Sequence, residues 1–420
     1  MTPARHGVLR EAVMVLAIAV ATTVLMTWPM VPKINRLGRT DNGDGTLSIW
    51  NVTWVARTLV TDPRHVFDAN IFYPHQATLT YSESNLGAGI LAIPAYWATK
   101  NPFVAHNSAV LLGFILTFIG MYCLVRYLTG DRFAAVISAI GFAFTPFLFA
   151  HSPHIQLLMT SGVPFSMLAF HRFTDRATPA RGAVLGLAMA WQALCCGYYG
   201  VFVILMVGYA TLVVAVVRGQ WRAPRYWLGL ATGALVACVI VAPAFLPYLS
   251  LSGEGFARTL DEARRYSSNW SDYFTSSAYA HAWMLAHLPP WLEVTFPGFV
   301  MGIFGLAGFL AGGTPRRKEF LAIYGGLAVL ACWASFGPAA GLYTVLYKTV
   351  PVFTLMRAPA RFGLLVAFAL SVLAGSTLAR LFRALPRHAT PVALALGLVT
   401  TAELVVPSNL VEYGGFEPVY

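Results

Sequence analysis

The sequence predicts an all-α polytopic membrane protein with about eleven spanning helices. Two observations point to that class. The chain has 420 residues, of which 57% are hydrophobic and only 11% charged, where a soluble domain carries about 25% charge. Its apolar residues also gather in unbroken runs near twenty residues, not in the ten-residue alternating segments of a barrel. Lipid admits only helices or closed barrels across its core, so the runs read as helices.

Taken in order, the predicted spans are roughly 9–31, 103–126, 131–150, 155–173, 181–197, 199–217, 226–250, 296–313, 319–337, 360–382 and 388–406. The first follows Arg5 and Arg10. It is longer than the apolar part of a signal peptide and has no small-residue cleavage site at its end, so it reads as a retained helix. The segment 86–99 is apolar but short, and it follows Ser84-Asn85 as a cap. Counting it as a span would invert every later loop, so it reads as a helix lying along the interface.

Charge then orients the chain. The net charge is +11, from 28 Lys and Arg against 17 Asp and Glu. Sixteen of the basic residues fall at the N-terminus and in alternate short loops: Arg126/Arg132, Arg172/Arg176/Arg181, Arg218/Arg222/Arg225, Arg316/Arg317/Lys318 and Arg380/Arg383/Arg387. The opposing short loops, His151-Ser-Pro-His154 and Cys195-Cys-Gly-Tyr-Tyr199, hold none. This is the positive-inside pattern. It places the N-terminus in the cytoplasm and, with eleven spans, the C-terminus outside. No basic-aromatic motif for nucleic acid is present, and that class is set aside. Cys123, Cys195, Cys196, Cys238 and Cys332 lie in or beside spans without CxxC spacing, which argues against disulfides and cysteine-ligated metal.

The transmembrane domain therefore covers 1–406, with outer loops at about 32–102 and 251–295, and a short outer tail at 407–420. Acids concentrate in the two outer loops. Asp41-Asn-Gly-Asp44-Gly begins ten residues beyond the first span. As a calcium loop it fails, because Thr40 and Asn51 fall where the first and last carboxylates belong. It reads either as a turn with solvated acids or as a carboxylate held at the outer surface. Glu83 precedes the 86–99 helix, where an acid either suits the helix dipole or serves a site. Arg357 and Arg361 flank Pro359 at the outward N-terminus of the tenth span. They read as snorkelling anchors or, with free backbone amides, as an anion site. His151 and His154 suit interfacial hydrogen bonding or substrate contact. Tyr266, Asp272 and Glu293 belong to an amphipathic segment or line a site from the second loop.

Several stretches resemble the glycosyltransferase C superfamily, in its bacterial branch that uses polyprenyl-phosphate-linked sugars. They are Gly43-Asp44 with Trp50 and Trp54, Phe67-Asp68-Ala-Asn70-Ile-Phe72-Tyr73-Pro74, Leu79-Thr-Tyr81-Ser82-Glu83, His154-Ile-Gln156, Glu293-Val-Thr-Phe296-Pro297-Gly298 and Arg357-Ala-Pro-Ala-Arg361-Phe362. The resemblance implies a transferase on the outer face of the bacterial cytoplasmic membrane, inverting the sugar it moves to a glycan, lipid or protein acceptor. It implies catalytic carboxylates at Asp44 and Glu83, substrate contacts from Arg357, Arg361, His154, Tyr73 and Glu293, and a divalent cation (Mg or Mn) at Asp41 and Asp44. A lipid or polysaccharide transporter, or a non-catalytic scaffold of the same fold, is the alternative. Transporters place ionisable groups at mid-membrane; here Glu403 near the end of the last span is the one exception.

Overall fold

The computed structural model describes residues 3–38, 41, 43–249, 258–289, 293–311, 317–407 and 410–412. Most of the 407–420 tail, like Thr40 and Asn42 of the first loop, lies outside the described residues. The protein is an all-α polytopic membrane protein. Among the described residues, six helices are long and apolar enough to cross a membrane: Gly7–Met26, Pro102–Thr129, Arg132–Ala150, Gly197–Val217, Pro224–Tyr248 and Pro359–Ala384.

We label the principal helices α1 (Pro3–Met26), α2 (Asp44–Thr61), α3 (Leu86–Thr99), α4 (Pro102–Thr129), α5 (Arg132–Ala143), α6 (Gly162–Asp175), α7 (Pro179–Cys195) and α8 (Gly197–Val217). They continue as α9 (Pro224–Leu249), α10 (Phe299–Ala311), α11 (Gly326–Ser335), α12 (Gly363–Ala384) and α13 (Ala389–Glu403). Each of the eleven predicted runs holds a helix, but not every one is straight or full length. The 155–173 run breaks into Ile155–Leu158 and α6. The 319–337 run passes through a π-helical turn, Leu321–Gly325, before α11.

Helix ends follow local chemistry. Asn101 accepts from the N–H groups of Phe103 and Val104 ahead of Pro102, and Asp131 caps α5 through Ala134. Both satisfy amides that have no partner within the helix. α12 is the buried centre, with almost every residue from Gly363 to Ala379 out of contact with solvent. It packs on α5, α10 and α11.

Helices in lipid gain little by burying leucine against leucine, so close packing of small residues matters more. α7 and α9 show this. A Cβ on Gly182 would stand 1.9 Å from the Gly229 carbonyl oxygen, and one on Gly186 would stand 2.2 Å from that of Gly233. The spacing of four in both helices lets the two backbones touch along a parallel seam. The only sheet among the described residues is the two-residue pair Leu37–Gly38 with Val411–Glu412.

One element was not foreseen. α2 lies inside the first long loop, directly after the Asp41-Asn-Gly-Asp44 stretch that reads as a turn. Asp44 is its first residue. α3 is present as expected, and it packs on α2 and α4.

Candidate active site

The connections at one end of the bundle converge around α2. Asp44, Ser48 and Asn51 follow the spacing of one helix face. Ser48 donates to the Pro153 carbonyl (2.8 Å), tying α2 to the His151–His154 turn. Asn51 donates to the Glu83 carbonyl (2.9 Å), tying it to the segment before α3. These two bonds hold two sequence-distant pieces against one helix.

On that face the Asp44 carboxylate meets His154, with Oδ2 3.1 Å from Nε2. The pair requires the imidazole proton on Nε2 when the ring is neutral. Burial lowers the His154 pKa, the Asp44 charge raises it, and the nearby Arg361 lowers it again, for a net downward shift. His151 is held by its Nδ1–H donating to the Phe147 carbonyl at 2.8 Å, and burial brings its pKa down to about 4. Asp44 itself is exposed, so solvent or substrate can reach it.

Arg361 and Arg357 enter from the other side. Pro359–Phe362 forms a single 3-10 turn leading into α12. The Arg361 guanidinium lies 4.2 Å from the Tyr198 ring centroid, and Arg357 lies 5.3 Å from that of Tyr266. Tyr198 also accepts the Arg357 N–H at 2.7 Å, so one tyrosine positions both arginines. A guanidinium over an aromatic face gains about 0.5–2 kcal/mol and keeps its N–H edge free for an oxyanion. Arg357 Nη1 stands 3.7 Å from Glu262, which also holds Arg258 at 3.2 Å. The expected free amides at this turn are not found. Ala360 N–H goes to the Tyr266 carbonyl and Arg361 N–H to that of Ala358. The positive character here comes from the side chains.

Glu83 takes a different place from the one the sequence suggests. Its carboxylate does not cap α3. It accepts the Gly197 N–H at 3.1 Å and thus caps α8. Burial pushes its pKa up, against the pull of the Gly197 N–H and the Arg361 charge. Glu293 is brought in by the second loop, where its N–H donates to Asp272 at 3.1 Å. Burial and the Asp272 charge raise its pKa, and Arg361 acts against them. Tyr73, by contrast, is almost wholly exposed and joins none of these contacts.

Asp41 serves the start of α2. Its Oδ1 accepts from Gly45 (2.8 Å) and Gly43 (3.1 Å). Among the described residues no three His, Cys, Asp or Glu side chains cluster as metal ligands. The donors present do not form a closed protein cage. They match only the mode in which Mg²⁺ takes one or two carboxylates and completes its shell with phosphate and water.

Sequence reasoning passed over Tyr198 and Glu262. Tyr198 stands in the uncharged Cys195–Tyr199 turn, and two tyrosines at a span boundary were the available signal. Glu262 is one of several acids in the second loop, and nothing in the local pattern marks it as the partner of Arg357.

Helices that span a membrane, with acids and stacked arginines gathered at one end of the bundle, define the class: a polytopic membrane protein with a polar site at one end. No family model matches the chain, and no curated protein matches it. Among solved structures it is similar to a crystal structure of ArnT from Cupriavidus metallidurans bound to undecaprenyl phosphate, at 17% identity and TM-score 0.43, covering 91% of this chain and 63% of that one. It is also similar to the same organism's ArnT in the apo state, at 15% identity and TM-score 0.38, covering 90% and 78%. The chain thus spans less than two thirds of the first of these proteins. The function has to be argued from the site.

Proposed function

We propose that the chain is a membrane glycosyltransferase that moves a sugar from a polyprenyl-phosphate donor to an acceptor outside the bacterial cytoplasmic membrane. The observation that carries the reading is the Asp44–His154 pair facing two arginines stacked on Tyr198 and Tyr266. The acceptor hydroxyl oxygen would attack the anomeric carbon as the bond from that carbon to the phosphate oxygen breaks. Asp44 would receive the hydroxyl proton, oriented by His154. Arg357 and Arg361 would hold the charge that develops on the departing polyprenyl phosphate. A single displacement of this kind inverts the anomeric centre.

Glu83 fits a positioning role at the start of α8, with a catalytic role held in reserve. Mg²⁺ or Mn²⁺, when bound, would be held by Asp44 and would neutralise donor phosphate charge. The arginine-rich loops support a cytoplasmic N-terminus and an outward C-terminus. Glu403, the acid that leaves room for a transporter, is engaged in capping α10 through Phe299 and Val300. That weakens the transport reading.

The test uses purified protein in lipid with a panel of polyprenyl-phosphate sugars, with and without divalent metal, beside Asp44→Asn. Sugar release that disappears in the variant supports the assignment. Release unaffected by the variant moves the base to Glu83. No turnover with any donor, in folded protein, favours a transporter or a scaffold.

A further inference from the structure

The face of α2 turned away from Asp44 lines a separate cavity of about 280 Å³. Thr46, Ile49, Trp50, Thr53, Trp54 and Arg57 recur at helical spacing along it. Their stripe lies on the side of the helix opposite Asp44, Ser48 and Asn51. It runs twelve residues, Thr46 to Arg57, about 16 Å at the helical rise, which is the length of a short oligosaccharide. Tyr96 and Phe103 close the far wall.

The walls have a particular chemistry. Trp50 and Trp54 stack with centroids 6.3 Å apart and planes 21° from parallel. Each indole N–H is already used, by Asn70 Oδ1 at 3.2 Å and the Val66 carbonyl at 2.8 Å. The rings are therefore fixed plates, free to offer faces but not donors. One cation, Arg57, belongs to the lining. Arg57 has no carboxylate within 4 Å among the described residues, whereas Lys100 is already engaged, with Nζ 3.2 Å from the Trp97 ring centroid and 5.2 Å from that of Tyr96. Thr46 and Asn70 add exposed polar edges.

Fixed aromatic plates accept the C–H faces of a sugar ring, and an unpaired guanidinium accepts carboxylate or phosphate on it. A purely apolar tail would leave the Arg57 charge unanswered. We propose that this groove binds an acidic oligosaccharide, stacked on Trp50 and Trp54 with its anionic group toward Arg57. The groove lies apart from Asp44, the base of the transferase reading. The binding itself does not depend on that reading.

The experiment is equilibrium binding to the intact protein in lipid nanodiscs, without any sugar donor. The probes are trigalacturonate, maltotriose and farnesyl phosphate. Trigalacturonate is expected to saturate one site and bind more tightly than maltotriose. Trp54→Leu is expected to weaken it about tenfold. Arg57→Gln, at an exposed position where misfolding is not expected, is expected to lower the preference for the acidic over the neutral trisaccharide by about tenfold. Unchanged binding in both variants would overturn the proposal, as would no saccharide binding at all. Farnesyl phosphate binding that both variants weaken, with no saccharide competition, would also overturn it by assigning the groove to a lipid tail. Loss of transfer activity in Asp44→Asn with saccharide binding intact would separate the two readings.

Discussion

Two pairs of arginines, one pair at each end of the bundle, are held in opposite ways. At the end predicted to face the cytoplasm, Arg218 is saturated. Glu319 binds it through both oxygens at 2.6 Å, the Thr174 carbonyl accepts from Nη1 at 2.8 Å, and Asp175 stands 3.7 Å away. Arg126 is held likewise by Glu11 at 2.8 Å. At the site end, Arg361 and Arg357 rest on tyrosine rings. Among the described residues Arg361 has no carboxylate within 4 Å, and Arg357 only a distant share of Glu262. A cation whose charge is already answered serves folding. One whose position is fixed by ring faces, with its donors unspent, is ready for an anion that arrives later.

That contrast is open to attack, and the largest effect belongs to the carboxylate beside the unspent arginines. Asp44→Asn is expected to lower sugar transfer by about 10²–10⁴-fold while leaving thermal unfolding unchanged. Retained transfer would remove Asp44 from the chemistry. Glu319→Ala should do the converse. It strands a mostly buried guanidinium and is expected to cost about 3–5 kcal/mol of stability, read by unfolding in detergent, with turnover per folded molecule intact. Were Arg361→Gln to destabilise as much as Glu319→Ala, the two pairs would not differ in kind. It is expected instead to weaken donor binding by about 10–100-fold, the worth of a charge-assisted hydrogen bond.

Smaller changes sharpen the picture. Tyr198→Phe keeps the ring under Arg361 and removes the acceptor for the Arg357 N–H, whereas Tyr198→Leu removes both. A few-fold loss in donor KM for Phe and a larger one for Leu would mark Tyr198 as a positioning residue. Equal losses would deny the ring its role. The least effect concerns pH. Burial raises the Glu83 pKa, so the folded state binds more protons than the unfolded one above the ordinary value near 4.5. Stability contributed by this group is present below that value and is lost as pH rises through the raised folded pKa. Glu83→Gln, which can still accept the Gly197 N–H, should make unfolding less sensitive to pH over that window. An unchanged slope would mean that Glu293, raised in the same direction, supplies the effect alone.

The helical runs were legible because length and apolarity are local properties. α2 was not, since Asp44-Gly-Thr-Leu-Ser-Ile-Trp-Asn mixes small polar residues into its first two turns. Its buried face of Ser48, Asn51, Val52 and Val55 becomes meaningful only against Pro153 and Glu83. Asp44, His154 and the two arginines stood out because charge is scarce in such a chain. What each one meets was not readable. Glu83 lies 114 residues from the Gly197 amide it caps, and Tyr198 lies 159 from the Arg357 amide it receives. Pairings over such separations are set by how helices pack. Local pattern carries no record of them, and the expected free amides beside Arg361 failed for the same reason.

Glu403 has a consequence for how the chain is made. Its carboxylate receives the Phe299 and Val300 amides and meets His281 Nε2 at 3.0 Å. The groups it answers are synthesised 104 and 122 residues earlier. At about 5–20 residues per second, the start of α10 waits roughly 5–20 s on the ribosome for its terminal acid. During that interval α10 is threaded without its cap, and the last helix acts as the latch that seats it.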